Sequence, residues 1–156
     1  MLSVDLRLLQ DGPVRTAAAL PPEDPALEGL AFTLVGPVEV DGRMVATAGD
    51  DLLWHGHLVA RVAGECRRCL SPLVQRLDES VELVFSANPE LQDDPSVYPL
   101  SARSTELDLA PVVREELVLL VEAFPLCRPD CAGFCASCGA DLNAEPCKCT
   151  APGQTN

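Results

Sequence analysis

The chain has 156 residues, 47% of them apolar, which is enough for one globular domain with its own hydrophobic core. Aromatic residues make up only 4%, so the core must be built mainly from Leu, Val and Ala. The formal net charge of −13 excludes a general polyanion binder, because non-specific affinity for nucleic acid comes from Lys and Arg on phosphates.

The first part of the chain is predicted to hold one strand and one loop. Residues 2–10 alternate Val4, Leu6 and Leu8 with polar neighbours, which predicts a half-buried strand. Residues 11–29 are rich in Pro and Gly and are predicted to form a loop. The start shows no basic leader before an apolar run, and no window approaches the roughly 18 apolar residues of a membrane span. We therefore expect a cytoplasmic protein.

The middle of the chain has the period-two alternation of antiparallel β structure. Residues 30–66 are predicted to form strands that are separated by turns at 41–43 and 49–51. Residues 73–86 are predicted to form a further strand pair or one long strand. Residues 86–106 carry three prolines and little periodicity, and are predicted to form a long loop.

A helical period follows in residues 108–124. Asp108 is the expected N-cap, Pro111 fits the first turn, and Pro125 is expected to end the helix. One face of this helix is apolar and is predicted to be buried: Leu109, Val113, Leu117, Leu120 and Phe124.

The predicted fold class is therefore α+β, an antiparallel β-rich body with one main core helix and a C-terminal cysteine-rich zinc-binding tail. The body is expected to span residues 1–126, with the helix near 108–124. A cysteine-rich metal-binding module over residues 127–149 is expected to pack on the body, and residues 150–156 are expected to be a disordered tail.

The eight cysteines occur in four short-spaced pairs, with spacings C-x2-C, C-x3-C, C-x2-C and C-x-C in chain order. In a reduced compartment such pairs more often hold metal than form disulfides, and structural zinc takes four thiolates. We predict zinc, with iron–sulfur as the alternative. The predicted ligands are Cys66, Cys69, Cys127, Cys131, Cys135, Cys138, Cys147 and Cys149.

The spacing also suggests which cysteines share an ion. Residues 135–149 form a C-x2-C-x8-C-x-C unit that can close on itself. The remaining pairs, 66/69 and 127/131, would then join the β body to the end of the helix. One or two zinc ions are expected, and two are preferred. In the competing arrangement, four tail cysteines hold one zinc and the others are free or redox-active. A thioredoxin-like CxxC is disfavoured because strands flank residues 66–69 on both sides.

Basic residues gather near the cysteines and are candidates for binding a partner. They are Arg61, Arg67, Arg68, Arg76, Arg128 and Lys148. The alternative interpretation is that these cations offset the negative charge of four-thiolate zinc centres.

Other candidate groups do not indicate an enzyme. His55 and His57 are expected to be rim residues of a sheet rather than metal ligands, and Glu115 and Glu116 to lie on the solvated face of the helix. The sequence has no GxGxxG, P-loop, GxSxG or HExxH motif. We therefore expect neither an enzyme nor a small-molecule substrate.

The segments "CRRCL", "LDLAPVVREELVLL" and "FPLCRPDCAGFCASCGADLN" followed by "CKC" resemble the YceD-like family, the large ribosomal RNA subunit accumulation proteins. The resemblance spans roughly residues 60–149. It implies a cytoplasmic factor for 23S ribosomal RNA accumulation or processing, with 23S rRNA or a large-subunit precursor as partner, directly or through a small basic ribosomal protein. Two other functions stay open: a thiol/zinc redox-sensing protein, and an acidic chaperone for a basic ribosomal protein.

Overall fold

The computed structural model describes residues 2–47, 49, 51–91 and 93–149. The predicted disordered tail, residues 150–156, lies outside these residues. The elements of the described part are β1 (Ser3–Asp5), β2 (Val14–Leu20), β3 (Thr33–Leu34), β4 (Val38–Ala46), β5 (Leu52–Glu65), β6 (Pro72–Ser86), β7 (Val97–Pro99), β8 (Glu106–Asp108) and α1 (Ala110–Leu120).

The main sheet has the strand order β2-β4-β5-β6-β7, and β3 also pairs with β5. Its pairs are antiparallel except for β6 and β7, which run parallel. Strands β1 and β8 form a separate antiparallel pair. The β5–β6 hairpin is the longest element, paired from Leu52 with Phe85 to Glu65 with Pro72. The predicted α+β fold, with a strand-rich body and one main helix, is confirmed.

The core lies between one face of the main sheet and α1. Alternate side chains of β5 are buried, including Leu58, Ala60 and Val62, as the sequence pattern predicts. The helix contributes Val113 and Leu117, neither of which has any exposed surface. The opposite face of the sheet carries exposed charged side chains at the intervening positions.

The single tryptophan of the chain packs against two glycines of the main sheet. Trp54 is completely buried, and its indole N–H donates a hydrogen bond of 3.0 Å to Oγ1 of Thr16. Gly42 and Gly56 are opposite each other on β4 and β5. A Cβ at Gly42 would lie 2.8 Å from Nε1 of Trp54, and a Cβ at Gly56 would overlap the indole ring. The indole therefore occupies the space that two side chains would fill.

The N-terminal third departs from the sequence prediction in three places. Only residues 3–5 of the predicted strand over 2–10 are extended, and residues 6–10 form a 3-10 helix. The predicted loop over 11–29 contains β2, which is an edge strand paired along its length with β4. No turn interrupts β4 at residues 41–43, because Gly42 is needed beside Trp54 rather than in a bend.

The helix is shorter than predicted. The N-cap position is Leu109 rather than the expected Asp108, although the Asp108 carboxylate accepts a 2.9 Å hydrogen bond from the backbone N–H of Ala110. Pro111 lies in the first turn as expected. However, α1 ends at Leu120, because the side chain of Gln75 hydrogen-bonds both the N–H and the C=O of Glu122. Phe124 therefore lies beyond the helix with 68% of its surface exposed, and its predicted burial is wrong.

The segment before the helix is also more ordered than a simple loop. Residues 86–106 contain a short 3-10 helix, Pro89–Leu91, and strand β7. None of the helices in the described ranges is long and apolar enough to cross a membrane.

Candidate metal centres

The eight cysteines gather in two groups of four. The first cysteine group is Cys66, Cys69, Cys127 and Cys131, and the second cysteine group is Cys135, Cys138, Cys147 and Cys149. Within each group all four sulfur atoms lie within 4.8 Å of one another, and all eight cysteines are free thiols. The grouping is the one that the spacing favoured. That these groups bind metal stays a prediction.

The first cysteine group joins the tip of the β5–β6 hairpin to the chain that follows α1. Its sulfur–sulfur distances include 3.7 Å between Cys66 and Cys131 and 3.6 Å between Cys69 and Cys127. Cys66 and Cys131 are completely buried, whereas Cys127 is exposed. Further backbone contact comes from the N–H of Arg67, which donates to the C=O of Pro125 at 2.9 Å. The group therefore lies at the boundary between core and solvent.

The two CxxC segments fold into the same turn. In the first turn, the N–H of Leu70 donates to the C=O of Cys66 at 2.9 Å. In the second, the N–H of Gly139 donates to the C=O of Cys135 at the same distance. Each N–H donor has a positive φ, 57° for Leu70 and 73° for Gly139. The turn brings two sulfur atoms of each group to the same side, as one metal ion requires.

The second cysteine group is more exposed than the first. Cys135 and Cys147 are half-buried with their sulfur atoms 3.4 Å apart, while Cys138 and Cys149 are exposed. A β-bridge between Phe134 and residue 141 encloses the CxxC turn of this group. All four cysteines come from a 15-residue segment, so this group does not need the sheet to assemble.

The surroundings of the first cysteine group favour unequal ionisation of its thiols. Burial disfavours the thiolate of Cys66, but backbone hydrogen bonds from Cys127, Cys69 and Arg68 together lower its pKa to about 6. Although Cys127 is exposed as a residue, partial desolvation of its sulfur raises the pKa of Cys127 to about 12, and hydrogen bonds with the thiols of Cys69 and Cys131 act in the same direction. A positive ion among the four sulfur atoms would favour the thiolate at every position.

The second cysteine group shows the same contrast. Backbone hydrogen bonds from Cys138 and Ser137 lower the pKa of Cys135 to about 6. A hydrogen bond with the thiol of Cys138, followed by partial desolvation of the sulfur, raises the pKa of Cys149 to about 12. Four thiolates this close repel one another, so the arrangement suits a central cation.

Asn143 supports the first cysteine group and was missed by the sequence reasoning. Its side-chain carbonyl accepts from the N–H of Ala132 at 2.8 Å and from Arg128 at 2.9 Å, and its amide nitrogen lies 3.6 Å from the sulfur of Cys131. A short polar side chain between cysteine pairs was the available signal, because ligand sulfurs are commonly held by neighbouring N–H donors.

The six basic candidates do not form one patch. Arg68 donates to the C=O of Cys131 at 2.7 Å, so its guanidinium binds the protein's own backbone. The guanidinium of Arg67 lies 5.2 Å from the centre of the Phe124 ring. Arg128 contacts Asn143 and lies 3.4 Å from the Asp130 carboxylate. The structure thus brings Arg67, Arg68 and Arg128 to the first cysteine group.

The other three basic residues lie elsewhere. Arg61 and Arg76 are directly opposite each other on the outer face of β5 and β6 and line a shallow depression with Glu39. Arg76 is paired with Asp78 at 2.6 Å. Lys148 lies beside the second cysteine group.

The two histidines are on the exposed face of the sheet, as expected. His55 lies 2.9 Å from Glu82, and His57 lies between Asp78 at 2.9 Å and Asp41 at 3.3 Å. Among the described residues, His, Cys, Asp and Glu side chains converge closely enough for a metal ion only in the two cysteine groups.

A family model described as "Large ribosomal RNA subunit accumulation protein YceD" matches residues 54–155, which is more than half of the chain. The chain belongs to the YceD family. The match includes β5 from Trp54 onward, β6, α1 and both cysteine groups, so the family region contains every predicted metal ligand. The family description supports a ribosome-related role, and it names an accumulation factor rather than an enzyme.

The curated relatives are mycobacterial proteins described as uncharacterized. Proteins of Mycobacterium bovis and Mycobacterium tuberculosis are each 30% identical over 122 residues, which is 77% of this chain and 58% of theirs. A Mycobacterium leprae protein is 28% identical over 140 residues, 78% of this chain and 59% of its own. This YceD chain thus spans less than two thirds of the length of these relatives. No solved structure matches it.

Proposed function

We propose that the protein is a non-enzymatic ribosome-assembly factor that supports the accumulation or processing of 23S ribosomal RNA in the cytoplasm. The observation that carries this proposal is the YceD family match over residues 54–155, because its description names large ribosomal RNA subunit accumulation. The partner is 23S rRNA or a large-subunit precursor.

Zinc is the proposed metal at both cysteine groups. Around one zinc ion with Zn–S bonds of about 2.3 Å, tetrahedral geometry places the sulfur atoms about 3.8 Å apart. The distances of 3.7 and 3.6 Å in the first cysteine group and 3.4 Å in the second approach this value. Four sulfurs within 4.8 Å of one another suit a single ion, whereas an iron–sulfur cluster spreads its cysteines over several iron atoms.

The proposed zinc ions are structural. Each group has four cysteine ligands, which is the composition of closed structural sites without an open coordination position. Eight thiolates contribute −8 and two zinc ions +4, which takes the formal net charge from −13 to −17. The bound metal therefore makes the whole protein a weaker attractor of RNA, and any RNA contact must come from a local surface.

Elemental analysis tests the metal proposal. Protein purified without added metal is expected to contain two zinc ions per chain by mass spectrometry, and Cys138→Ser is expected to reduce this to one. Finding iron at equal stoichiometry, or no metal with freely titratable thiols, would contradict the assignment.

A deletion strain tests the ribosomal role. Loss of the gene is expected to lower 23S rRNA relative to 16S rRNA, and the wild-type gene is expected to restore the ratio. A normal ratio in the deletion strain would refute the proposal. Zinc release by mild peroxide, with loss of function that a reductant reverses, would favour a redox sensor instead.

A further inference from the structure

The first CxxC turn is surrounded by exposed apolar side chains. Eight large hydrophobic residues are exposed in the described part of the chain, and four of them lie in or beside this turn: Leu70, Val74, Phe124 and Phe134. The chain has only four phenylalanines, and the two that are exposed are both at this turn. Exposed apolar groups gathered at one place commonly mark an interaction site.

The backbone and side-chain contacts hold the two phenylalanines at the turn. The Arg67 guanidinium lies over the Phe124 ring at 5.2 Å, and the N–H of Phe134 donates to the C=O of Arg68 at 3.3 Å. Their exposed fractions are 68% for Phe124 and 43% for Phe134. Arg67 thus contacts the Phe124 ring through its side chain, and Arg68 positions the backbone of Phe134, so both phenylalanines lie beside the first cysteine group.

Leu70 has a strained backbone conformation within this surface. Its φ of 57° lies in the left-handed region, where leucine is strained and glycine is not. The equivalent position of the second turn is Gly139. The Leu70 side chain is 62% exposed, so core packing does not compensate for the strain. A strained residue that a glycine could replace points to a function for its side chain.

We propose that this surface, formed by Leu70, Phe124, Phe134 and Arg67, binds unpaired bases of RNA by stacking. Aromatic rings and arginine planes are the groups on which splayed bases stack, and this recognition tolerates different base sequences. This inference rests on the proposed function and extends it by naming where the RNA binds and that the bound RNA is unpaired.

The stacked pair of Arg67 and Phe124 favours RNA over a basic protein, because a guanidinium plane and an aromatic ring are both groups on which bases stack. The three arginines that the structure brings to the first cysteine group are cationic, and Arg67 has no ion pair within the described ranges. Because Arg68 and Arg128 are engaged with the protein itself, few phosphates can be neutralised. We therefore expect stacking to dominate the binding energy and the affinity to depend only weakly on salt. The plot of log K against log[salt] should have a slope of about −0.7 for each phosphate contacted.

Fluorescence anisotropy with the zinc-loaded full chain tests the proposal. The probes are a fluorescein-labelled 12-nucleotide oligouridylate and the same label on a double-stranded RNA of equal length. The single strand is expected to bind and the duplex to bind at least tenfold more weakly, because stacked bases are not available to aromatic side chains.

Three variants make the test specific. Phe124→Ala is expected to weaken single-strand binding about tenfold or more, and Leu70→Gly is expected to weaken it by a smaller factor, while two zinc ions are retained in both. Leu8→Ala is the matched control, because Leu8 is 52% exposed but lies on the N-terminal 3-10 helix. Its affinity is expected to equal that of the wild type.

Several outcomes would overturn the proposed surface. They are equal binding of duplex and single strand, wild-type affinity in both turn variants, or an equal loss in Leu8→Ala. Absence of RNA binding, with a purified basic ribosomal protein bound in a Phe124-dependent way, would assign the surface to a protein partner.

Complementation separates this inference from the proposed function. If Phe124→Ala restores normal 23S rRNA although its RNA binding is lost, the surface is not the one that the function uses. If the wild-type gene itself does not affect 23S rRNA, the proposed function is wrong whatever the binding result.

Discussion

Gly133 and Gly139 have the same backbone conformation but different surroundings. Both have φ of 73°, where a residue with a Cβ is strained. A Cβ at Gly133 would lie 2.8 Å from the C=O oxygen of Arg68, whereas a Cβ at Gly139 would have no neighbour within 4 Å. Comparing substitutions at Gly133 and Gly139 therefore separates the conformational cost of losing a glycine from the cost of a steric clash.

We expect Gly139→Ala to lower the free energy of unfolding by about 1 kcal/mol, which is the backbone strain alone. Gly133→Ala is expected to cost more, because the turn must also move away from residue 68. Urea unfolding of the zinc-loaded variants measures both values. Equal losses would show that the contact with Arg68 has no energetic weight.

The hydrogen bond of Trp54 gives a second residue-level test. Its indole N–H and the Thr16 hydroxyl are both buried, so Thr16→Val leaves a buried donor without a partner. We expect a loss of about 1–3 kcal/mol in the free energy of unfolding. Thr16→Ser, which keeps the hydroxyl, is the control and should retain most of the stability; denaturant titration distinguishes them.

The sequence predicts the position and contacts of some single residues but not of others. The grouping of the cysteines follows from short spacings, since nearby thiols meet one ion across a tight turn. The role of Asn143 and the exposure of Phe124 could not be predicted, because each depends on which distant segment packs beside it. Leu70 showed no sequence signal, since its strain arises from the turn that the cysteines impose.

At the level of elements, β5 and β6 were predictable because their burial alternates with period two over most of the hairpin. Strand β2 was missed because its "VRTAAAL" segment follows Pro and Gly and buries only Thr16 and Leu20. The end of α1 was missed because it is set by Gln75, a residue 47 positions before Glu122. Local patterns predict repeated structure, while element ends depend on long-range contacts.

The first cysteine group connects two elements, whereas the second is local. We therefore expect Cys131→Ser to lower the melting temperature of the sheet, because it frees the chain after α1 from the hairpin tip. Cys149→Ser should leave that main transition unchanged within a degree or two. Thermal unfolding followed by circular dichroism measures this, and equal shifts would argue that the C-terminal module is part of the cooperative core.

His57 links three strands through ionisation. Hydrogen bonds with Asp78 of β6 and then Asp41 of β4 raise the pKa of His57 above its usual value of 6.5. The interaction of protonated His57 with these two carboxylates therefore stabilises the folded protein fully below pH 6.5. This stabilisation is lost as pH rises through the folded-state pKa of His57.

We expect the stability advantage of the wild type over His57→Gln to fall as pH rises through that range, with urea unfolding at a series of pH values as the measurement. The control His55→Gln tests whether the effect belongs to His57. A difference that grows with pH would contradict the assigned sign.

At the scale of the whole molecule, the two cysteine groups differ in their access to solvent. The first includes two completely buried cysteines, whereas every cysteine of the second is at least partly exposed. We expect a chelator to remove zinc in two phases, the faster from the second group. Release measured with a metallochromic dye should lose its fast phase in Cys138→Ser; a single phase in the wild type would contradict this difference.

The position of Trp54 gives the molecule a built-in optical reporter. It is the only indole in the chain, and 12 residues of extended strand place it about 40 Å from Cys66. Its fluorescence emission should therefore change when the sheet unfolds and should not change when zinc is lost at the hairpin tip. Dye absorbance and tryptophan fluorescence, recorded on one sample, can time the two events separately without any label.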